Sequence, residues 1–333
     1  MKIAIVILNW NGKELLEKFL PSVTSYSKEA AVYVADNAST DDSVSFVTTH
    51  YPEVKIVQNT VNGGYAKGYN DALKHVDEDI FCLLNSDVEV TANWLQPIID
   101  IFNDKPDTAI VQPKILDYKK KEYFEYAGAA GGFIDSLGYP LCRGRIFQTL
   151  EKDTGQYNDI KEIFWASGAC LFVKKEIFQK LGGFDEDYFA HQEEIDFCWR
   201  ARNLGYKAYY TGFSSVYHVG GATLNSMNPR KTFLNFRNSL YSITKNLPKR
   251  KVFLLLFIRL LLDGIAGIRF IFHLKWAHFL AIIKAHISFY KNFKKVFGRR
   301  SIRVASYKYY VTKSVVWSYF VRNIRYFNYL VKD

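Results

Sequence analysis

The chain has 333 residues, a net charge of +11, and 49% apolar and 17% aromatic residues. That apolar content excludes an intrinsically disordered protein and suffices for a large domain with an appendage. The charge is uneven: residues 249–333 carry 18 Lys or Arg against 2 acidic residues, while the rest carries 26 against 31. This asymmetry predicts two functional units, 1–247 and 248–333, with a boundary near Leu247-Pro248.

The N-terminal MKIAIVILNWNG has too short an apolar run for the core of a signal peptide and reads as a first buried strand. Short apolar runs at 3–8, 31–35, 54–57 and 80–84 suit parallel strands covered on both faces. Between them, residues 13–26, 42–50 and 65–75 have helical apolar spacing. Asp41 or Asp42 is placed to cap the second helix, and Asn62-Gly63-Gly64 to turn into the third. Alternating strands and helices predict right-handed crossovers and a doubly wound, mostly parallel α/β sheet, in which ligands bind at the carboxyl ends of the strands. The four cysteines (Cys82, Cys142, Cys170 and Cys198) are widely spread. They show no paired metal-ligand spacing and read as reduced thiols of a cytosolic compartment.

Polar residues collect where each strand ends. Asn9-Trp10-Asn11-Gly12 follows the first strand and Asp36-Asn37-Ala38-Ser39-Thr40 the second. Gly63, Gly64 and Lys67 follow the third, and Asn85-Ser86-Asp87 the fourth. A dinucleotide fingerprint needs G-x-G-x-x-G after the first strand, where only one glycine stands, and no P-loop signature is present. A nucleotide site built from Asp, Asn and backbone amides is expected instead. In an extended LLNSDVEV segment, residues 85, 87 and 89 share one side; Glu89 is read as a solvated residue. Farther on, Ile195, Cys198 and Trp199 make an apolar i, i+3, i+4 face that identifies a helix. On that helix Asp196 pairs with Arg200 at i, i+4.

In this order, VILNWNG (6–12), VADNASTDDS (34–43), NGGYAKGYN (62–70), LLNSDVEV (83–90) and the stretch 165–206 resemble the family 2 glycosyltransferases. These are inverting sugar-nucleotide enzymes of the glycosyltransferase A-type fold, and the similarity is closest to the rhamnosyltransferase-like branch. It covers about residues 1–220. The resemblance implies a nucleotide site at Asn9, Asp36, Asn37, Ser39, Gly63, Lys67, Asn85 and Ser86, with Asp36 on the pyrimidine base. It implies a Mg²⁺ or Mn²⁺ ion held by Asp87 and His218, with Asn85 standing where the family's D-x-D motif has its first Asp. Hard oxygen ligands suit such ions, which balance the charge of a leaving diphosphate. The family's catalytic acidic pair falls on Glu193 and Glu194, with Glu194 as general base. His191 lies nearby and is a weaker candidate for touching the acceptor. Trp165 and Gly168 match a segment lining the acceptor side.

The implied substrates are a dTDP- or UDP-sugar donor, with dTDP-rhamnose favoured by the branch, and a lipid-linked saccharide or other glycan acceptor. A sugar nucleotidyltransferase would carry a glycine-rich basic loop after the first strand, of which NWNGKE is a poor version. A non-catalytic nucleotide-sugar-binding membrane scaffold would explain the fold and tail without turnover.

Residues 252–272 have the length of a membrane span. They contain Arg259, Asp263 and Arg269, however, and a central charge costs ~2.5–3.5 kcal/mol against ~0.3–0.6 returned per Leu, Ile, Phe or Val. Insertion parallel to the surface is expected rather than crossing. Beyond it, Lys284, Lys291, Lys294, Lys295, Arg299, Arg300 and Arg303 interleave with apolar and aromatic residues. With apolar helices beside them, these predict an anionic membrane surface rather than nucleic acid, and so a place on the cytoplasmic face of a membrane.

Overall fold

The computed structural model describes residues 1–220, 228–300 and 308–331; Arg303 lies outside the described residues. In chain order, β1 (Ile3–Asn9), α1 (Lys13–Tyr26), β2 (Ala31–Asp36), α2 (Ser43–His50), β3 (Lys55–Gln58), α3 (Gly64–Ala72) and β4 (Ile80–Asn85) follow the expected alternation. Then come β5 (Val88–Val90), α4 (Gln96–Asp104) and β6 (Thr108–Asp117). A small four-stranded antiparallel sheet follows, made of β7 (Gly132–Ile134), β8 (Pro140–Cys142), β9 (Arg145–Ile146) and β10 (Thr149–Leu150). The main sheet resumes with β11 (Ile160–Ile163) and β12 (Cys170–Lys174), then α5 (Lys175–Lys180), α6 (Glu193–Asn203) and β13 (Lys207–His218). Helices α7 (Pro229–Asn246), α8 (Lys249–Phe272), α9 (Trp276–Gly298), α10 (Val315–Phe320) and α11 (Phe327–Leu330) complete the described chain.

The main sheet has nine strands in the order β11-β13-β6-β12-β4-β1-β2-β3, with β5 pairing on β13. β4, β1, β2 and β3 are parallel, and β1, β2 and β4 carry the buried apolar runs expected of such strands. β12 runs antiparallel between β4 and β6, while β13 is parallel to β6. The sheet is therefore mixed, with its parallel part where the sequence pattern is clearest.

Side chains alternate between two cores. Ile3, Ile5 and Ile7 pack with Leu16 and Leu20 of α1, Val47 of α2 and Ile98 of α4. Ala4 and Val6 face the opposite layer with Tyr69 of α3, Phe178 of α5 and Ile195 of α6. Helices thus change sides between β3 and β4, and the crevice where strand order reverses opens at the carboxyl ends of β1 and β4.

The second core runs on past residue 248 without a break, taking in Val252, Leu255 and Leu256 of α8 and Phe289 and Val296 of α9. The C-terminal helices are packed onto the sheet-bearing part. Asp41 rather than Asp42 serves the start of α2: its Oδ1 accepts from the Ser43 amide at 3.1 Å. All four cysteines are free and buried.

Candidate active site

Strand register sets the floor of the site. Asn9 faces Asp36 across β1 and β2, and Leu8 faces Asn85 across β1 and β4. Asn9 Nδ2 donates to Asp36 Oδ1 at 3.3 Å and lies 3.3 Å from Ser39 Oγ. The other Asp36 oxygen accepts from the Ser39 amide at 3.0 Å. Asp36 therefore organises the turn after β2 while remaining at the crevice, and the buried Asn9 Oδ1 has no hydrogen-bond partner. Asn37 is buried and ties this turn to the next: its Nδ2 donates to Asn62 Oδ1 at 3.0 Å, and its Oδ1 accepts from Asn59 at 3.1 Å. Gly63 precedes α3, with the stem of Lys67 folded against it. The Lys67 ammonium pairs with Asp71 at 2.7 Å.

Residues 85–89 are not extended. A turn at Ser86-Asp87 separates β4 from β5, so Asn85, Asp87 and Glu89 do not form one row. β5 pairs with β13 so that Val88 faces His218, which brings a histidine 131 positions away onto Asp87. His218 Nε2 lies 3.1 Å from Asp87 Oδ1 and 3.3 Å from the Asn85 amide nitrogen. Its Nδ1 is 3.4 Å from Glu125 Oε1. All three ionisable side chains are buried. Burial opposes a charged imidazole, but the Asp87 and Glu125 carboxylates outweigh it and push His218 up to about 10. Burial likewise works against ionised Asp87, yet His218 holds its carboxyl below the usual range. Glu89 is turned toward Lys121 at 2.6 Å. Glu125 was not anticipated, although an isolated acid inside Tyr123-Phe124-Glu125-Tyr126-Ala127 was a readable signal.

These residues bear on the divalent ion implied by the family resemblance. Among the described residues, no group of three or more His, Cys, Asp or Glu is arranged to hold a metal ion. The chemistry of two donors fits nonetheless. Asp87 offers a carboxylate oxygen and His218 an imidazole nitrogen, 3.1 Å apart, donor types that would suit Mg²⁺ or Mn²⁺. His218 must first lose its proton.

The second half of the site is the approach to α6. Phe189, His191 and Gln192 have φ of 64°, 70° and 72°, a left-handed run that non-glycine residues rarely adopt. Glu193 and Glu194 then open α6, each with a buried carboxyl oxygen lacking a hydrogen-bond partner. Burial, with the neighbouring Glu194 charge, raises Glu193 well above the carboxylate range. Burial raises Glu194 to about 7. Burial, with Lys231 nearby, lowers His191 to about 4, and its Nε2 has no partner.

Tyr65 connects the two halves. It is close enough to Glu193 and Glu194 for their charges to help raise its phenol, after burial and Tyr69. Its hydroxyl donates to Gly168 O at 2.8 Å, and the next residue, Ala169, accepts from the Asn85 amide at 3.0 Å. A Cβ on Gly168 would stand 2.9 Å from that hydroxyl and would push it away, so glycine leaves room for the contact. Trp165, by contrast, is a core side chain. It is 4% exposed, donates from Nε1 to Phe133 O at 2.8 Å and lies flat on Gly132.

The family model for glycosyl transferase family 2 matches residues 4–182, the segment that supplies both crevice turns and the Asn85–Asp87 turn. The chain belongs to glycosyl transferase family 2. Among curated relatives of this family 2 glycosyltransferase, the N-acetylglucosaminyl-diphospho-decaprenol L-rhamnosyltransferase of Mycobacterium tuberculosis is 25% identical over 230 residues, covering 64% of this chain and 75% of that one. Rhamnosyltransferase WbbL of Escherichia coli K12 is 22% identical over 225 residues, covering 65% and 83%. The crystal structure of GalNAc-T7 with UDP, GalNAc and Mn²⁺ superposes with a TM-score of 0.57 at 15% identity. That alignment takes in 73% of this chain and 47% of that one, which establishes the shared glycosyltransferase A-type fold.

The sequence reading did not anticipate what α7 does. Asn238 Nδ2 lies 3.1, 3.0 and 2.7 Å from the carbonyls of Tyr188, Ala190 and His191, and Arg237 reaches the Asp187 and Tyr188 carbonyls. Asp196 pairs with Arg200 at 2.8 Å, as its spacing suggested, and also with Lys245 of α7 at 2.8 Å. These bonds hold the left-handed run that delivers the glutamates.

Proposed function

We propose that this enzyme transfers a sugar, with rhamnose the first candidate, from a pyrimidine nucleoside diphosphate donor to a lipid-linked saccharide or other glycan acceptor, inverting the anomeric centre. The observation that carries this reading is the Glu193–Glu194 pair, each with one buried carboxyl oxygen that lacks a hydrogen-bond partner, connected through Tyr65 and Gly168 to the crevice holding Asp36, Asn85 and Asp87. The rhamnosyltransferase names of the two curated relatives support the sugar.

Asp36 and Asn37, with Asn9, Ser39 and Ser86 beside them, receive the nucleoside. Asp87 and His218 would hold a divalent ion, Mg²⁺ or Mn²⁺, and that ion would supply positive charge for the departing diphosphate. Glu194, raised by burial, is suited to take a proton near neutral pH. The acceptor oxygen attacks the anomeric carbon as its proton passes to Glu194. The bond from that carbon to the diphosphate oxygen breaks on the opposite side, and the nucleoside diphosphate leaves. Lining of the acceptor side falls to Gly168 and Tyr65 rather than to the Trp165 ring.

The test is purified protein with membrane extract and a panel of labelled dTDP- and UDP-sugars, with and without Mn²⁺, alongside Glu194→Gln. One donor should be consumed, and the variant should lose transfer by about 10²–10⁴-fold while retaining nucleotide binding. Full transfer by the variant would overturn the role of Glu194.

A further inference from the structure

We propose that the outward face of the α8–α9 hairpin is a wedge that inserts into the surface of an anionic lipid bilayer. Helix packing resolves the charge problem posed by residues 252–272. Arg259 and Asp263 are 1% and 0% exposed and turn inward. Arg259 Nη1 donates to Ser239 at 2.8 Å and its guanidinium lies over Tyr139, while Asp263 accepts from the Tyr139 hydroxyl at 3.1 Å and faces His286 at 3.1 Å. Arg269 lies against Phe320 near the end of α8.

The opposite side of α8 is left without charge from Phe253 to Ile268. Phe253, Leu254, Phe257, Leu261, Ile265 and Ile268 are each more than half exposed. Helix α9 continues the surface with Leu280, Ile283 and Ile287 at i, i+3 and i+7. The connecting turn places Phe272 and Leu274 outermost, 82% and 81% exposed. Between the helices, Gly264 and Gly267 leave an apolar pocket of about 270 Å³ against Phe279, Ile282 and Ile283, open to an acyl chain. A continuous apolar face of this extent marks an interaction surface.

Charge decides between occupants. Exposed Lys249, Arg250 and Lys251 flank one end of the face, and Arg269, Lys275, Lys284 and Lys291 its other borders. A second copy would bring a like-charged rim against this one, whereas anionic headgroups complement it. Among the described residues no helix is long and apolar enough to cross a membrane, so the hairpin lies within one interface. At the far end of α9, Lys295 and Arg299 pair with Asp187 and Asp185, in the segment leading to Glu193. The docked hairpin thereby holds the transfer site at the lipid surface.

Flotation of the full chain with vesicles tests this. Phosphatidylcholine mixed equally with phosphatidylglycerol should carry the protein, phosphatidylcholine alone should carry at least about tenfold less, and high salt should reduce the difference. Leu261→Glu combined with Ile265→Glu should lower partitioning at least about tenfold with the thermal unfolding midpoint unchanged, because both side chains are solvent-exposed. Brominated lipids should quench Trp276, a signal lost in Trp276→Phe. Absence of vesicle binding, undiminished binding by the double variant, or a dimer that this variant dissolves would each overturn the proposal. Vesicle binding is read without turnover, so its outcome is separate from that of the transfer assay.

Discussion

Asn238 of α7 places its side-chain amide 2.7 Å from the carbonyl of His191, two residues before the first glutamate of α6. The same amide reaches the Tyr188 and Ala190 carbonyls, so one buried side chain spans a loop containing three left-handed non-glycine residues. Asn238→Ala removes these donors and leaves buried carbonyls unpaired, at about 1–3 kcal/mol. Misplaced glutamates should lower kcat by about a hundredfold with donor affinity unchanged. Denaturant unfolding and steady-state kinetics of the variant check this; an unchanged kcat would detach Asn238 from positioning.

Lys245 and Asp196 form a buried pair across α7 and α6, with Arg200, Asn246 and Asp185 as further partners. Removing one member strands a charge in the interior, so Lys245→Met should cost about 3–5 kcal/mol. Despite burial, which opposes its charge, the Lys245 and Arg200 cations hold Asp196 down at about 2. The folded value is below the ordinary one of about 4. The stabilisation is therefore complete above that ordinary value and disappears as pH falls through about 2. Unfolding midpoints measured down this range should fall steeply for the native chain and more gently for Asp196→Asn.

Glu194 carries the opposite sign. Burial raises it to about 7, so its carboxyl gains base character only as pH rises through that region. Transfer should climb with pH to a plateau slightly above neutrality. The folded protein also binds more protons than the unfolded chain between about 4.3 and 7, so stability declines as pH rises across that interval. Glu194→Gln should abolish most transfer and, above neutral pH, unfold at higher denaturant concentration than the native chain. A variant less stable at all pH values would contradict a destabilising ionised Glu194 with its one unpartnered buried oxygen.

The parallel half of the sheet was legible because β1, β2 and β4 are buried on both faces and so written as unbroken apolar runs, as in Ile80 to Leu84, while the edge strand β3 is only half-buried. β12 and β13 were harder to place. Their direction depends on partners distant in sequence, and β13 is interrupted by irregular register between Thr211 and Ser215. The short strands β7–β10 have too few residues to establish a period. Within the site, Asp87 and Glu194 were visible as acids at strand and helix ends. Glu125 and Asn238 were not, because the first is brought in by the return from β6 and the second by the docking of α7. Trp165 was ambiguous for a simple reason: an aromatic beside small residues reads equally as a sugar platform and as a core ring, and only its packing on Gly132 distinguishes them. Trp165→Phe should accordingly cost about 1–3 kcal/mol from the lost Nε1 hydrogen bond to Phe133 and leave the acceptor KM unchanged, as unfolding and acceptor titrations would show.

His218 couples metal, proton and fold. Although burial works the other way, Asp87 and Glu125 raise it to about 10, above its ordinary value near 6.5. In metal-free protein the resulting stability is fully present below that ordinary value and is lost as pH rises through about 10. His218→Ala removes the imidazole lying between the buried Asp87 and Glu125 carboxylates and should cost about 3–5 kcal/mol. Because the imidazole must give up its proton to bind an ion, Mn²⁺ affinity should strengthen as pH increases. Calorimetric titrations in buffers of different ionisation heat should show a proton released on binding, and that release should vanish in His218→Ala. Chelation should correspondingly abolish transfer, with Mn²⁺ restoring it. Binding that is equally tight across pH, with no proton released, would remove His218 from the ion site and leave it as the buried counter-charge to Asp87 and Glu125.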